Sequence, residues 1–86
     1  MAHVKVKLFG LLRLDTGLRQ IEADAERVRD LYPVLLTKAR EAKPDTKITA
    51  ADIDGCIILI NGAQRKKNTA LSEGDTVYLM SPVCGG

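Results

Sequence analysis

At 86 residues the chain makes one domain, near the small end of what folds around a single core. An apolar fraction of 45% is ordinary for a globular protein, and with only Phe9, Tyr32 and Tyr78 as aromatics the core falls to Val, Leu and Ile. A formal charge of +2 draws no nucleic acid electrostatically, and so few aromatics offer little for stacking on single-stranded bases.

The opening MAHVKVKLFG alternates apolar and charged residues and lacks the apolar stretch of a signal peptide. Val4, Val6 and Leu8 fall on one side and Lys5 and Lys7 on the other, the two-residue period of a half-buried strand. GLLRLDTGL reads as a loop or turn marked by Gly10 and Gly17. RQIEADA alternates again, with Ile21 and Ala23 opposite Gln20 and Glu22, so the first two strands are expected to form a hairpin.

In ERVRDLYPVLLTKAREA the period changes, and Val28, Leu31, Tyr32, Leu35 and Ala39 share one helical stripe. Pro33 interrupts it, because proline inside a helix loses a hydrogen bond and clashes with the preceding turn. The expectation is either a kink near Arg29 or a short first turn followed by a main helix from about Pro33 to Ala42, ended by Lys43-Pro44. KPDTKITAADIDG is polar, with a short turn around Thr49 to Ile53. The run from Cys56 to Ile60 reads as a buried strand and is far too short to span a bilayer. Asn61-Gly62 is a tight-turn signal. QRKKNTALSEGD then holds turn residues around Leu71, and TVYLM is a last strand. With no repeat, linker or low-complexity tract, the elements make one α+β domain.

His3 is the sole histidine, and Cys56 and Cys84 lack CxxC spacing, so neither a zinc site nor a histidine-based triad is expected. Two thiols so placed suit a cytoplasmic protein, with one disulfide left open. Cys56 opens an apolar strand and reads as core. Arg65 to Lys67 read as a solvated loop, and docking of that loop to an acidic partner is the lesser reading. Asp75 follows Gly74 and reads as a turn residue that caps local N–H groups. Ile57 to Ile60 and Val77 to Met80 are apolar on both alternating faces. One face must meet the helix; the other, for which Tyr78 and Met80 are the candidates, leaves a patch of the kind that marks partner sites if the chain's own loops do not cover it.

The ending ALSEGDTVYLMSPVCGG, preceded by ILING, resembles the MoaD/ThiS family of ubiquitin-like sulfur carriers. Asn61-Gly62, then Leu71, Gly74, Asp75 and Val77, then Pro82, Gly85 and Gly86 fit that family's pattern, and VKLFGLLR followed by Gly17 is similar to its first strand and loop. The resemblance implies a β-grasp fold, a mixed sheet wrapped around one helix with the first and last strands central and parallel. Residues 1–80 would form that domain and residues 81–86 a protruding tail.

The resemblance also implies a chemistry. The Gly86 carboxylate, ionised and a poor electrophile, would be adenylated with ATP by a ubiquitin-activating-type partner enzyme. A sulfur donor, either a sulfurtransferase or a desulfurase, would then convert it to a thiocarboxylate. The acceptor would be the large subunit of molybdopterin synthase, for molybdenum or tungsten cofactor synthesis. The chain would be a carrier rather than an enzyme, with no bound cofactor or metal and no nucleic-acid or membrane partner. Gly85, Cys84, Val83 and Pro82, with Tyr78 and Met80, would meet the partners. Glycines let the tail enter a narrow channel, and Pro82 biases Ser81 toward an extended backbone. Cys84 is read as a tolerated small side chain before a thiol that handles sulfur. The alternatives are a carrier for thiamin or cysteine synthesis, a modifier joined through Gly86 to lysines, and a plain binding module.

Overall fold

The computed structural model describes residues 1–81. Strand β1 (Ala2–Phe9) buries Val4, Val6 and Leu8 and turns His3, Lys5, Lys7 and Phe9 to the other side, as the alternation requires. Between Gly10 and Gly17 the chain forms a short helix, α1 (Leu11–Thr16), where a loop was expected. Leu12 and Thr16 stand one helical turn apart and both are buried. The Thr16 hydroxyl donates to the Leu12 carbonyl at 2.8 Å and accepts from the Leu18 N–H at 3.2 Å, which makes a buried polar group acceptable there. Gly17, at φ +69°, closes the helix in the left-handed conformation. The two glycines that read as loop markers are helix ends.

Strand β2 (Gln20–Ala25) runs antiparallel to β1, from Ala2 opposite Ala25 to Lys7 opposite Gln20. A 3₁₀ turn, Val28–Asp30, then leads directly into the main helix α2 (Leu31–Ala42). Of the two expectations, the short first turn holds, and the helix begins two residues before Pro33. Pro33 lies in the first turn of α2, where a backbone N–H has no acceptor within the helix, so no hydrogen bond is lost and no kink is needed. Val28, Leu31, Tyr32, Leu35 and Ala39 are all buried, and Lys43 ends the helix.

The turn expected around Thr49 to Ile53 is a one-turn helix, α3 (Ala50–Asp54). Thr49 and Asp52 cap it reciprocally: the Asp52 N–H donates to Thr49 Oγ1 at 3.3 Å and the Thr49 N–H to Asp52 Oδ2 at 2.9 Å. Strand β3 (Ile57–Ile60) follows, with Cys56 buried just before it. Asn61 and Gly62, at φ +50° and +89°, turn the chain into β4 (Ala63–Gln64), a two-residue strand too short for any period to reveal. Strand β5 (Thr76–Met80) ends the fold.

The five strands form one sheet in the order β2-β1-β5-β3-β4. β1 and β5 pair in parallel, Lys5 beside Thr76 through Phe9 beside Met80, and the other neighbours are antiparallel. This is the β-grasp. The inner face and the α2 stripe share one aliphatic core, which also takes in Ile48 and Ile53. Asp75 acts as a turn residue: its carboxylate accepts from the Ser72 N–H at 2.8 Å and from Asn61 Nδ2 at 3.0 Å. No helix among the described residues is long and apolar enough to cross a membrane.

Leu35 is fully buried where the helix meets the sheet. Leu35→Ala is expected to cost about 2–5 kcal/mol, lost transfer energy plus an unfilled cavity. Thermal unfolding followed by circular dichroism should show a midpoint lowered by about 10 °C or more for a domain of this size.

Candidate functional site

The outer face of the sheet is divided by strand register into an apolar half and a charged half. Where β5 ends, Phe9, Met80 and Ile57 lie side by side across β1, β5 and β3. In the next row Lys7, Tyr78 and Leu59 are neighbours, with Gln20 beyond Lys7 and Gln64 beyond Leu59. Farther from the tail come Glu22, Lys5 and Thr76, then Asp24 and His3. Phe9, Leu59, Tyr78 and Met80 are half-buried and Ile57 is 37% exposed, so five large apolar side chains form a continuous surface. The rings of Phe9 and Tyr78 stack tilted at 5.1 Å, and Lys7 Nζ sits 5.8 Å from the Tyr78 ring centre. The apolar half is therefore held together by side-chain contacts and bordered by a cation.

Tyr78 and Met80 thus stand on the outer face. Phe9, Ile57 and Leu59 were not singled out from the sequence, although their signal was present. Phe9 follows the same alternation that places Lys5 and Lys7 outward, and Ile57 and Leu59 alternate with the buried Ile58 and Ile60. Leu11 on α1 is 55% exposed and lines a hollow together with Ser81. Pro82, Val83, Cys84, Gly85 and Gly86 lie outside the described residues. Cys56 is in the core beside the Asp52 carbonyl at 3.3 Å, and burial pushes its thiol up to about 11, which keeps it protonated and unreactive at neutral pH. Arg65, Lys66 and Lys67 are exposed, with Lys67 paired to Asp54 at 3.1 Å.

At the charged end, His3 lies between two carboxylates. Its Nε2 is 2.8 Å from Glu22 Oε1 and its Nδ1 2.8 Å from Asp24 Oδ1. Only the imidazolium carries an N–H on both nitrogens, so the geometry suits the charged form. The hydrogen bond to Glu22, then that to Asp24, raises the His3 pKa above its ordinary 6.5, and the bond to His3 lowers that of Glu22 below 4.5. Each carboxylate takes a different ring nitrogen. Among the described residues no group of His, Cys, Asp and Glu is arranged to hold a metal ion.

A mixed sheet grasping one helix, with an apolar outer patch where the last strand ends, defines a ubiquitin-like β-grasp protein. The ThiS family model matches residues 6–86, and the chain belongs to that family. Among solved structures, small archaeal modifier protein 1 from Methanosarcina acetivorans is 32% identical over 100% of this chain and 98% of its own, with a TM-score of 0.73. The corresponding protein of Haloferax volcanii is 27% identical over 99% of this chain and 100% of its own, at 0.71. A chain from the complex of subunits 1 and 2 of the molybdopterin-converting factor of Helicobacter pylori is 26% identical over 98% of this chain and 99% of its own, at 0.60. Comparison with curated proteins finds no match. The family is one of small ubiquitin-like sulfur carriers and modifiers.

The sign of the His3 effect is fixed by the direction of its shift. Its stabilising contribution is fully present below 6.5 and fades as pH rises through the raised folded value. That of Glu22 is present above 4.5 and fades as pH falls through its lowered folded value. Both groups are exposed, so solvent screens the pair. Titration of the His3 ring by NMR is expected to give a midpoint above 6.5, and Glu22→Gln should move it back further than Asp24→Asn.

Proposed function

We propose that the protein is a sulfur carrier that acts as the small subunit of molybdopterin synthase and holds sulfur as a thiocarboxylate on Gly86. The observation that carries this reading is the apolar patch of Phe9, Ile57, Leu59, Tyr78 and Met80 at the end of β5, after which residues 82–86 follow in sequence. A partner that docks there is beside the root of the tail. The molybdopterin-converting factor of Helicobacter pylori, in which subunit 1 is complexed with subunit 2, supports a second synthase subunit as that partner.

The reaction has two steps on the Gly86 carboxyl. First the carboxylate oxygen attacks the α-phosphorus of ATP in an adenylating enzyme, and pyrophosphate leaves. The resulting acyl-adenylate is then attacked at its carbonyl carbon by sulfide-level sulfur; AMP leaves and a C–S bond replaces the C–O bond. The chain supplies the carboxyl group and its delivery, and the partners supply ATP binding and the sulfur donor. Cys56, buried and protonated, takes no part. Cys84 and its neighbours Pro82, Val83 and Gly85 are assigned to the tail that enters the partner.

A second reading, the protein modifier, draws on the 32% identity to the Methanosarcina acetivorans modifier. It shares the acyl-adenylate and differs only in the nucleophile, a lysine amine in place of sulfur. Intact-mass spectrometry after incubation with ATP, the adenylating enzyme of the same organism and a sulfur source separates the two. One oxygen-for-sulfur exchange located on Gly86 is expected, without isopeptide adducts to other proteins. Deleting Gly86 should abolish the exchange and leave the circular dichroism spectrum unchanged; exchange that persisted in the deletion would refute the carrier reading.

Ile57→Asp places a charge in the most exposed part of the patch. Calorimetric titration with the large synthase subunit is expected to show affinity lowered by about tenfold or more, since an unpaired carboxylate must be desolvated at the interface. The melting temperature should change little.

A further inference from the structure

Met80 is the last residue of β5 paired to both of its neighbours, and Ser81 follows it. At the same place α1 begins, and its cap position is Gly10, which has no side chain to offer. The first N–H groups of a helix lack partners within it and are ordinarily met by a Ser, Thr, Asp or Asn at the cap. Here the partner comes from the other end of the sequence. The Leu12 N–H donates to Ser81 Oγ at 3.2 Å, across 69 positions, in a partly buried contact. Ser81 also borders a hollow of about 180 Å³ whose lining includes Leu11, Ile48 and Cys56.

Gly10 and Ser81 fit each other. A Cβ at residue 10 would stand 2.8 Å from Ser81 Oγ, closer than van der Waals contact allows, and φ there is +68°. Glycine therefore opens the space that the Ser81 hydroxyl fills. On its other side Ser81 precedes Pro82, whose ring disfavours the helical region for the residue before it. The paired end of β5 just before it, its own side-chain hydrogen bond and a following proline together restrict this residue.

We propose that Ser81 is a positioning residue for the activation of Gly86: its hydroxyl, bound to the Leu12 N–H, fixes the origin from which residues 82–86 continue. The proposal rests on the carrier reading above. From a fixed origin, five residues reach at most about 17 Å. A loose origin enlarges the volume that the carboxylate searches and lowers the fraction of docked complexes in which it meets ATP. The loss falls on turnover, while docking through the sheet face is unaffected.

The test is ATP–pyrophosphate exchange by the adenylating enzyme of the same organism, with the carrier as the varied substrate. Ser81→Ala is expected to lower kcat about fivefold, the scale of a lost helix cap, with KM unchanged. Ser81→Thr, which keeps the hydroxyl, should restore turnover. Asn61→Ala serves as the stability control: it removes bonds to Asp75 and Thr76 at the opposite end of β5, so it should lower the melting temperature and leave kcat unchanged. In the free protein, amide exchange at Leu12 should accelerate in Ser81→Ala and not in Asn61→Ala. Unchanged kcat in Ser81→Ala, an equal loss in Asn61→Ala, or unaltered Leu12 exchange each overturns the proposal. Absence of exchange activity in the unmodified protein would overturn the carrier reading itself and the positioning role with it; the Leu12 measurement separates that failure from failure of the contact.

Discussion

The hydrogen bonds between β1 and β5 join the two ends of the described chain in the middle of the sheet, and the other elements depend on that junction. β2 can only lie outside β1, and β3 only outside β5, because each inner strand has one free side left. Helix α2 spans the resulting surface with its single apolar stripe. Pairing strands so distant in sequence costs loop-closure entropy before any contact compensates for it, so the junction requires a good fit. Val6, Leu8, Val77 and Leu79, from both strands, are at most 1% exposed. The same junction sets the end of β5 against the start of α1, so the last strand, the Gly10 bend and Ser81 meet at one corner.

That corner separates the work of the fold from the work of the tail. In the proposed chemistry the only group of this chain that reacts is the Gly86 carboxyl, and the domain supplies recognition and a starting point. Under that proposal a carrier and a modifier differ only in the nucleophile that meets the activated carboxyl, which the domain does not supply. The charged end of the outer face, with His3 between Glu22 and Asp24, is polar and solvated, which leaves the apolar rows near Met80 as the part of the sheet suited to docking.

The sequence showed most plainly what depends on long periodicity. The alternation in β1 and β2 and the stripe from Val28 to Ala39 were legible because each repeats several times and one face of each is turned into the core. The short elements were not. α1 has only Leu12 and Thr16 to mark its inner side, and its bounding glycines carry the same signal as a loop. α3 is five residues long, though the Thr49–Asp52 spacing was a capping signal that could have been read. β4 exists because the turn at Asn61-Gly62 brings Ala63 and Gln64 beside Leu59 and Ile60, a consequence of register and not of composition. At the patch, Tyr78 and Met80 were legible as alternates of buried residues, but the row that joins them to Phe9 and Ile57 depends on which strands are neighbours. The contact between Ser81 and Leu12 was invisible for the same reason.

The parallel pairing also governs how the molecule bears force. A pull on the tail, with the N-terminal end of the chain held, draws β5 and β1 in opposite directions along their common axis. Five register pairs, Lys5 with Thr76 through Phe9 with Met80, are then loaded together in shear. A hairpin pulled open at its ends would give way one pair at a time. Forced unfolding is governed by its rate, so resistance to traction between these two ends is set by the shear-loaded pairs and not by equilibrium stability alone.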